Sequence, residues 1–286
     1  MSILGQLREA AGKLNPSEVR SVADAPLLIK LRADSERGYD ALFRFLMPDT
    51  LSAEKRRKLG GTFYLEGEPN PPDFVDLSIV FHGTPARPDD FIFVPGRESQ
   101  LVNDIVDQKE LLRLPLARRF PLFREEVTRR AIHTASTENA MFALATALPN
   151  IAPFIGFVWS PGEFASDTAF ITLNQIRLAF QLSAASDRAV GYTEQKSEIA
   201  SIITGAFGLR AIARELVGKI PAGGGLIPKA AVAYAGTWVI GSSMERFYRI
   251  GYGYTQAERS TAYNEAFERG KDIASSVINR FRKREK

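Results

Sequence analysis

No cysteine occurs among the 286 residues, which excludes structural disulfides and thiolate metal sites and makes a reducing compartment the natural setting. Histidine is nearly absent too. His82 and His133 stand alone without an EXXH or HXXXH partner, so both read as surface or core residues rather than metal ligands. No GxSxG elbow surrounds any serine, and no base can be paired with one. The opening MSILGQLREAAGKLNPSEVR lacks the basic start and continuous apolar stretch of a secretory signal, so an intracellular N-terminus is expected.

Charge is missing from one part of the chain. Of the 70 charged residues, 17 lie in the 127 positions from Ala131 to Ala257, which leaves 53 for the other 159. Within that middle, Asn139 to Gly162 (NAMFALATALPNIAPFIGFVWSPG) has no charged side chain at all. The run is long enough to cross a bilayer and follows an arginine-rich stretch, RLPLARRFPLFREEVTRR, from Arg113 to Arg130. A second apolar segment covers 220–244, with Lys229 near its start, and Arg246 and Arg249 after it. If both segments insert as hairpins, the flanking arginines share one side; the same helices could equally form a soluble core. The net charge of +4 is mild, and its excess sits at 113–130 and in the tail from Arg280 to Lys286. Solvated faces or anionic lipid head groups account for such clusters better than nucleic acid does.

Periodicity divides the rest. Ile3 to Gly12 has the spacing of one helix face, and Asn15-Pro16-x-Glu18 reads as a second helix start, with a capping side chain, proline at the first position and an acid in the first turn. Strands are expected at LLIKL (27–31), TFYLE (62–66), DLSIVFHG (76–83) and DFIFVPG (90–96), with two helices, ERGYDALFRFLM and SAEKRRKLGG, between the first and second. Beyond Arg97 the pattern is helical. Pro149 and Pro153 must kink or break any helix they enter, and Ala233, Thr237 and Gly241 fall four apart as a smooth stripe for close helix contact. The fold class expected is α+β to α/β: an N-terminal helical segment (1–25), a small α/β domain (26–112), and an α-helical domain with apolar hairpins (113–286).

Several features imitate sites. Asp73 with Asp76, and Asp89 with Asp90, are paired carboxylates that read as turn formers. Gly223, Gly224 and Gly225 precede Lys229 and a helix, but no strand precedes them and no GK[ST] ending follows, so a hairpin turn is the better reading. Tyr248, Tyr252, Tyr254 and Trp238 could stack bases or sit at a membrane interface, with tertiary packing as the default. The strand LLIKL followed by RADSERGYDALFRFL has the order of a P-loop, with Gly38 at the second glycine. However, Ala33 replaces the first glycine, Tyr39 the lysine and Asp40 the hydroxyl residue. Without the lysine and hydroxyl, a nucleotide loses its main electrostatic partners.

The phrases LPLARRFPLFREEVTRRAIHTASTENAMFALATALPNIAPFIGF, FITLNQIRLAFQLSAA, SIITGAFGLRAIARELVGKIPAGGGLIPKAAVAYAGTWVIG and RFYRIGYGYT resemble the YcjF-like bacterial proteins, catalogued as domain of unknown function 697, over residues 113–255. The resemblance implies a membrane-associated helical region. It also implies that residues 26–97 are a reduced or inactive relative of an Era-like GTPase domain, a degenerate P-loop GTPase-like part. It carries over no catalytic, cofactor-binding or metal residue, and none is expected here. The expected function is a membrane-associated interaction or scaffold protein without a working nucleotide site, on the cytoplasmic side of the inner membrane or in the cytoplasm. Its expected partners are the cytoplasmic membrane or a membrane protein, with a protein partner or homo-oligomer next and nucleic acid not among them. Two alternatives stand beside it: a GTP-binding or GTP-hydrolysing protein with an atypical site, and a soluble helical scaffold or homo-oligomer.

Overall fold

The computed structural model describes residues 14–147, 167–203 and 225–284. By internal contacts the chain forms two units: a sheet unit of Arg20–Val127 with Ala184–Arg188, and a helical unit made of the remainder. Each has its own core.

Helix α1 (Pro16–Ala23) starts where the Asn-Pro signal places it, the Asn15 Oδ1 atom accepting from the Ser17 amide at 3.0 Å. All four expected strands form: β1 (Ile29–Arg32), β2 (Phe63–Leu65), β3 (Leu77–Phe81) and β4 (Asp90–Phe93). They make one parallel sheet in the order β2-β1-β3-β4, with Ile29 opposite both Phe63 and Leu77, and Ser78 opposite Asp90. The β1-to-β2 crossover carries α2 (Glu36–Leu46), capped by Ser35, and α3 (Ala53–Gly60), capped by Ser52. The other two connections, 66–76 and 82–89, carry no helix. After β4 come α4 (Glu98–Gln108) and α5 (Arg113–Arg119).

This arrangement makes the sheet one-sided. Successive side chains on a strand point to opposite faces. Ile29, Leu31, Leu77, Ile79, Phe91 and Phe93 enter a core with Leu42 and Leu46 of α2, Leu59 of α3, Ile105 of α4, Leu116 of α5 and Phe120. The alternate positions Lys30, Arg32, Ser78, Val80, Asp90 and Ile92 form the other face, where Ile92 is 51% exposed while Arg32 and Val80 are buried. Parallel sheets normally carry helices on both faces and read as unbroken apolar runs. Here polar residues alternate with apolar ones, and the helix-free connections cover the second face with polar contacts such as Arg32 to Pro85 O.

The helical unit is built from α6 (Arg124–Ala147, of which Thr128 onward belongs to this unit), α7 (Asp167–Ala185, up to Ser183), α8 (Leu226–Ile250) and α9 (Gln256–Arg284). Residues 196–203 are also helical. One cluster joins Ala140 and Leu144 of α6, Ala231, Tyr234 and Val239 of α8, and Tyr263, Phe267 and Ala274 of α9. Another joins Ile132 and Ala135 to Leu178, Leu182 and Tyr248. The small stripe on α8 does what its spacing suggests: a Cβ on Gly241 would stand 2.9 Å from Ile132 Cγ1 and 3.0 Å from Leu178 Cδ2. Gly251, at φ 87°, closes α8 in the left-handed region, its amide reaching Phe247 O at 2.9 Å.

Among the described residues, no helix is long and apolar enough to cross a membrane. The uncharged run lies in α6 up to Ala147, and its remainder, with Pro149 and Pro153, falls outside them, as does the helix expected at 3–12.

Candidate functional site

In an open parallel sheet, ligands bind outside the carboxyl ends of the strands where the connections reverse direction. Here that point lies between β1 and β3, because the chain leaves β1 toward β2 and leaves β3 toward β4. The loop there is Ala33-Asp34-Ser35, three residues between strand and helix. Two of its polar groups are already used. Ser35 Oγ accepts from the Gly38 amide at 3.2 Å, and the Asp34 amide donates to Thr84 Oγ1 at 3.1 Å. Gly38 lies in the first turn of α2, where a Cβ would stand 2.8 Å from Ala33 Cβ and 3.2 Å from the Phe81 ring. It therefore serves close helix-to-strand packing instead of approach to a phosphate. Tyr39, at the position of the P-loop lysine, donates its hydroxyl proton to Glu66 O at 3.4 Å.

On the polar face of the sheet, a charge cluster that the strand pattern alone did not flag is centred on Arg32. Its guanidinium donates to Glu66 at 2.8 Å and Pro85 O at 3.0 Å, and it pairs with Asp90. Glu66 also meets Lys30 at 3.0 Å and Arg87 at 2.8 Å. The hydrogen bond from Arg32 is the main reason the Glu66 carboxyl is held down at about 2, with Lys30 adding to it and burial opposing. Asp90 also accepts from the Ser78 hydroxyl at 2.6 Å and the Arg87 amide at 2.7 Å. Asp76 accepts from the Leu28 amide at 2.8 Å. The second members of the paired carboxylates thus fix strand starts. The one available signal for the Arg32 cluster was the alternation of Lys30 and Arg32 in IKLR.

The arginine-rich stretch, read as a solvated or lipid-facing cluster, has four part-buried arginines bonded to the protein itself. Arg113 reaches Val106 O at 2.8 Å, and Arg118 pairs with Asp24 at 2.6 Å. Arg119 caps the end of α1 through Asp24 O and Ala25 O at 3.3 and 2.6 Å, and Arg124 bonds Ala117 O at 3.2 Å. Burial pushes the Arg119 and Arg124 guanidinium groups below their ordinary value. Guanidinium forks can saturate helix-end carbonyls, and these do.

In the helical unit, a buried polar seam links α6, α7 and α8. Asn139 Nδ2 donates to Thr237 Oγ1 at 2.7 Å, Gln175 Nε2 to the same oxygen at 3.1 Å, and Asn174 Nδ2 to Asn139 Oδ1 at 3.0 Å. The Thr237 hydroxyl returns its proton to Ala233 O at 3.0 Å. Beside this seam, Ser136 Oγ and Gln175 Oε1 are buried without a partner. His133 Nδ1 lies 3.1 Å from the Tyr234 hydroxyl. Partial loss of water, with Arg129, Arg269 and Arg130 nearby, lowers its pKa and favours the neutral ring. Arg269 lies 4.3 Å over Trp238. Of the aromatic residues noted in the sequence, Tyr248 is buried, Trp238 half-buried and Tyr252 exposed. Of the glycine loop only Gly225 is described, as the residue preceding α8. Among the described residues no group of His, Asp and Glu could hold a metal ion.

Comparison with family models, with curated proteins and with solved structures returns no match, so the likeness to the YcjF-like proteins rests on the phrases quoted above.

Proposed function

We propose that this protein is a membrane-associated scaffold whose sheet unit has no working nucleotide site. The observation that carries the membrane part is a clustering of exposed apolar side chains. Of the four large exposed hydrophobics described in the helical unit, Phe247, Ile250 and Tyr252 fall within six residues at the end of α8, Tyr192 being the fourth. Scattered exposed apolar residues need no explanation, but a cluster does. Arg246 lies 5.1 Å from the Tyr252 ring and 5.5 Å from the Tyr254 ring, and Arg249 flanks Ile250. Aromatic and aliphatic groups beside arginine suit the boundary between head groups and acyl chains. The attachment is interfacial, on the cytoplasmic side of the inner membrane, in keeping with the absence of cysteine.

The nucleotide part is supported by the closed turn after β1, where Ser35 and Thr84 take the amides that would otherwise meet a phosphate. The resemblance to Era-like GTPases then concerns descent of the sheet, not activity.

Two measurements test the reading. The full chain should float with vesicles containing anionic lipid, and replacing Phe247, Ile250 and Tyr252 together by serine should leave it at the bottom of the gradient. A wild-type chain that never floats, whatever the lipid, would sink the membrane part. Phosphate release from GTP with magnesium should match the protein-free blank; turnover above it would overturn the other part.

A further inference from the structure

A concavity of about 560 Å³ in the sheet unit lies along the side of α2 and takes in Ser35, the last residue of the turn after β1. Arg37, Ala41 and Arg44 line one wall. Their spacing of four and then three residues puts them on one helix face, with the two guanidinium-bearing positions about 10 Å apart along the axis. Phe81, His82 and Pro95 form the opposite side, and Ser35 stands at one end. No carboxylate lines the cavity.

The arginines here differ from most others in the unit. Arg32, Arg113, Arg118 and Arg119 are all bound to carboxylates or carbonyls. Among the described residues, Arg37 and Arg44 have no hydrogen bond or ion pair, although Asp40 lies one turn from each on the same helix. The Ser35 oxygen accepts from the Gly38 amide and keeps its own proton free to donate. Phe81 supplies an apolar surface, its ring 4.4 Å from that of His82. Ser35, Arg37 and Arg44 are exposed, so the depression is open to solvent.

We propose that this cavity binds a soluble phosphate ester, with the phosphoryl group held by Arg37, Arg44 and the Ser35 hydroxyl and an apolar or planar body lying against Phe81. Guanidinium groups match phosphate as planar, two-pronged donors, which is why two unpaired arginines on one helix face point to a phosphoryl group. The site uses the flank of α2 and shares only Ser35 with the turn after β1, and it does not depend on the membrane reading.

Phenyl phosphate is a suitable probe because it joins one phosphoryl group to one planar apolar body. Titration of the full chain by calorimetry should give saturable binding, tighter for phenyl phosphate than for inorganic phosphate, and weaker as salt rises. Arg37→Gln and Arg44→Gln should each weaken it about tenfold or more, since a charge-assisted hydrogen bond is lost. The exposed Arg57 on α3 serves as a control, and Arg57→Gln should bind as the wild type does. Circular dichroism checks that each variant folds. Absence of saturation at about ten millimolar, or unchanged affinity in the Arg37→Gln/Arg44→Gln double variant, overturns the proposal. So does binding of phosphatidic acid vesicles through Arg37 and Arg44 when phenyl phosphate fails, which would make the ligand a lipid head group.

Discussion

Thr237 shows how much one hydroxyl can hold. It accepts from Asn139 and Gln175 and donates to Ala233 O, so its hydrogen-bonding capacity is full. Thr237→Val keeps the shape but strands two buried amide donors, and should cost about 2–4 kcal/mol, read as a lower urea midpoint with an unchanged slope; Thr237→Ser should stay close to wild type. Glu66 sets a pH dependence in the sheet unit. Its carboxyl lies at about 2 in the folded chain against an ordinary 4.5, so its pairing with Arg32 and Lys30 stabilises the fold above pH 4.5 and is lost as pH falls toward 2. The stability difference between wild type and Glu66→Gln should therefore shrink steadily over that window in urea titrations; a difference constant from pH 5 to 2 would mean that the carboxylate charge is not what Arg32 needs. Asn174 and Gln175 were visible in the sequence only as two polar letters inside an apolar helix. That they meet Asn139 and Thr237 depends on helix rotations that no local pattern records.

Elements differ in how openly their sequences announce them. The four strands could be read because alternation of apolar and polar residues follows directly from the pleat, and α1 because Asn15 and Pro16 perform local chemistry. The parallel order and the missing second helix layer could not, since a connection without a helix looks the same in sequence whichever way it crosses the sheet. The resemblance to a P-loop was legible as a near miss, while its reason, a turn of three residues closed on itself, needed coordinates. The cavity beside α2 escaped notice because Arg37 and Arg44 resemble any solvated helix face until Phe81 and Pro95 are seen opposite them. Contact between α8 and α9 gives a sharper test of an element. A Cβ on Gly270 would stand 2.9 Å from Ala231 Cα and 3.2 Å from Ala231 O, backbone atoms that cannot rotate aside. Gly270→Ala gains roughly 1 kcal/mol of helix propensity but must push the helices apart, so a net loss of about 1–2 kcal/mol is expected by thermal or urea unfolding. A more stable variant would show that α9 sits less tightly on α8 than described.

Among the described residues, the sheet cluster and the clusters joining α6 to α9 share no residue. Leu42→Ala, which opens a cavity under β1, should lower one unfolding transition by about 2–5 kcal/mol and leave the other in place, a departure from two-state behaviour that calorimetry can detect. A single transition moved as a whole would mean that the units unfold together. The sheet unit is also discontinuous along the chain. Ala185 belongs to its core and Asp187 pairs with Lys55 at 2.5 Å, yet both follow Val127 by nearly 60 residues. During synthesis at about 5–20 residues per second, the unit must therefore wait roughly 3–12 s after its last helix has been made before its missing piece arrives. For that interval the sheet has all its strands but its unit lacks Ala184–Arg188, and a chaperone waiting at the ribosome would meet it in that state.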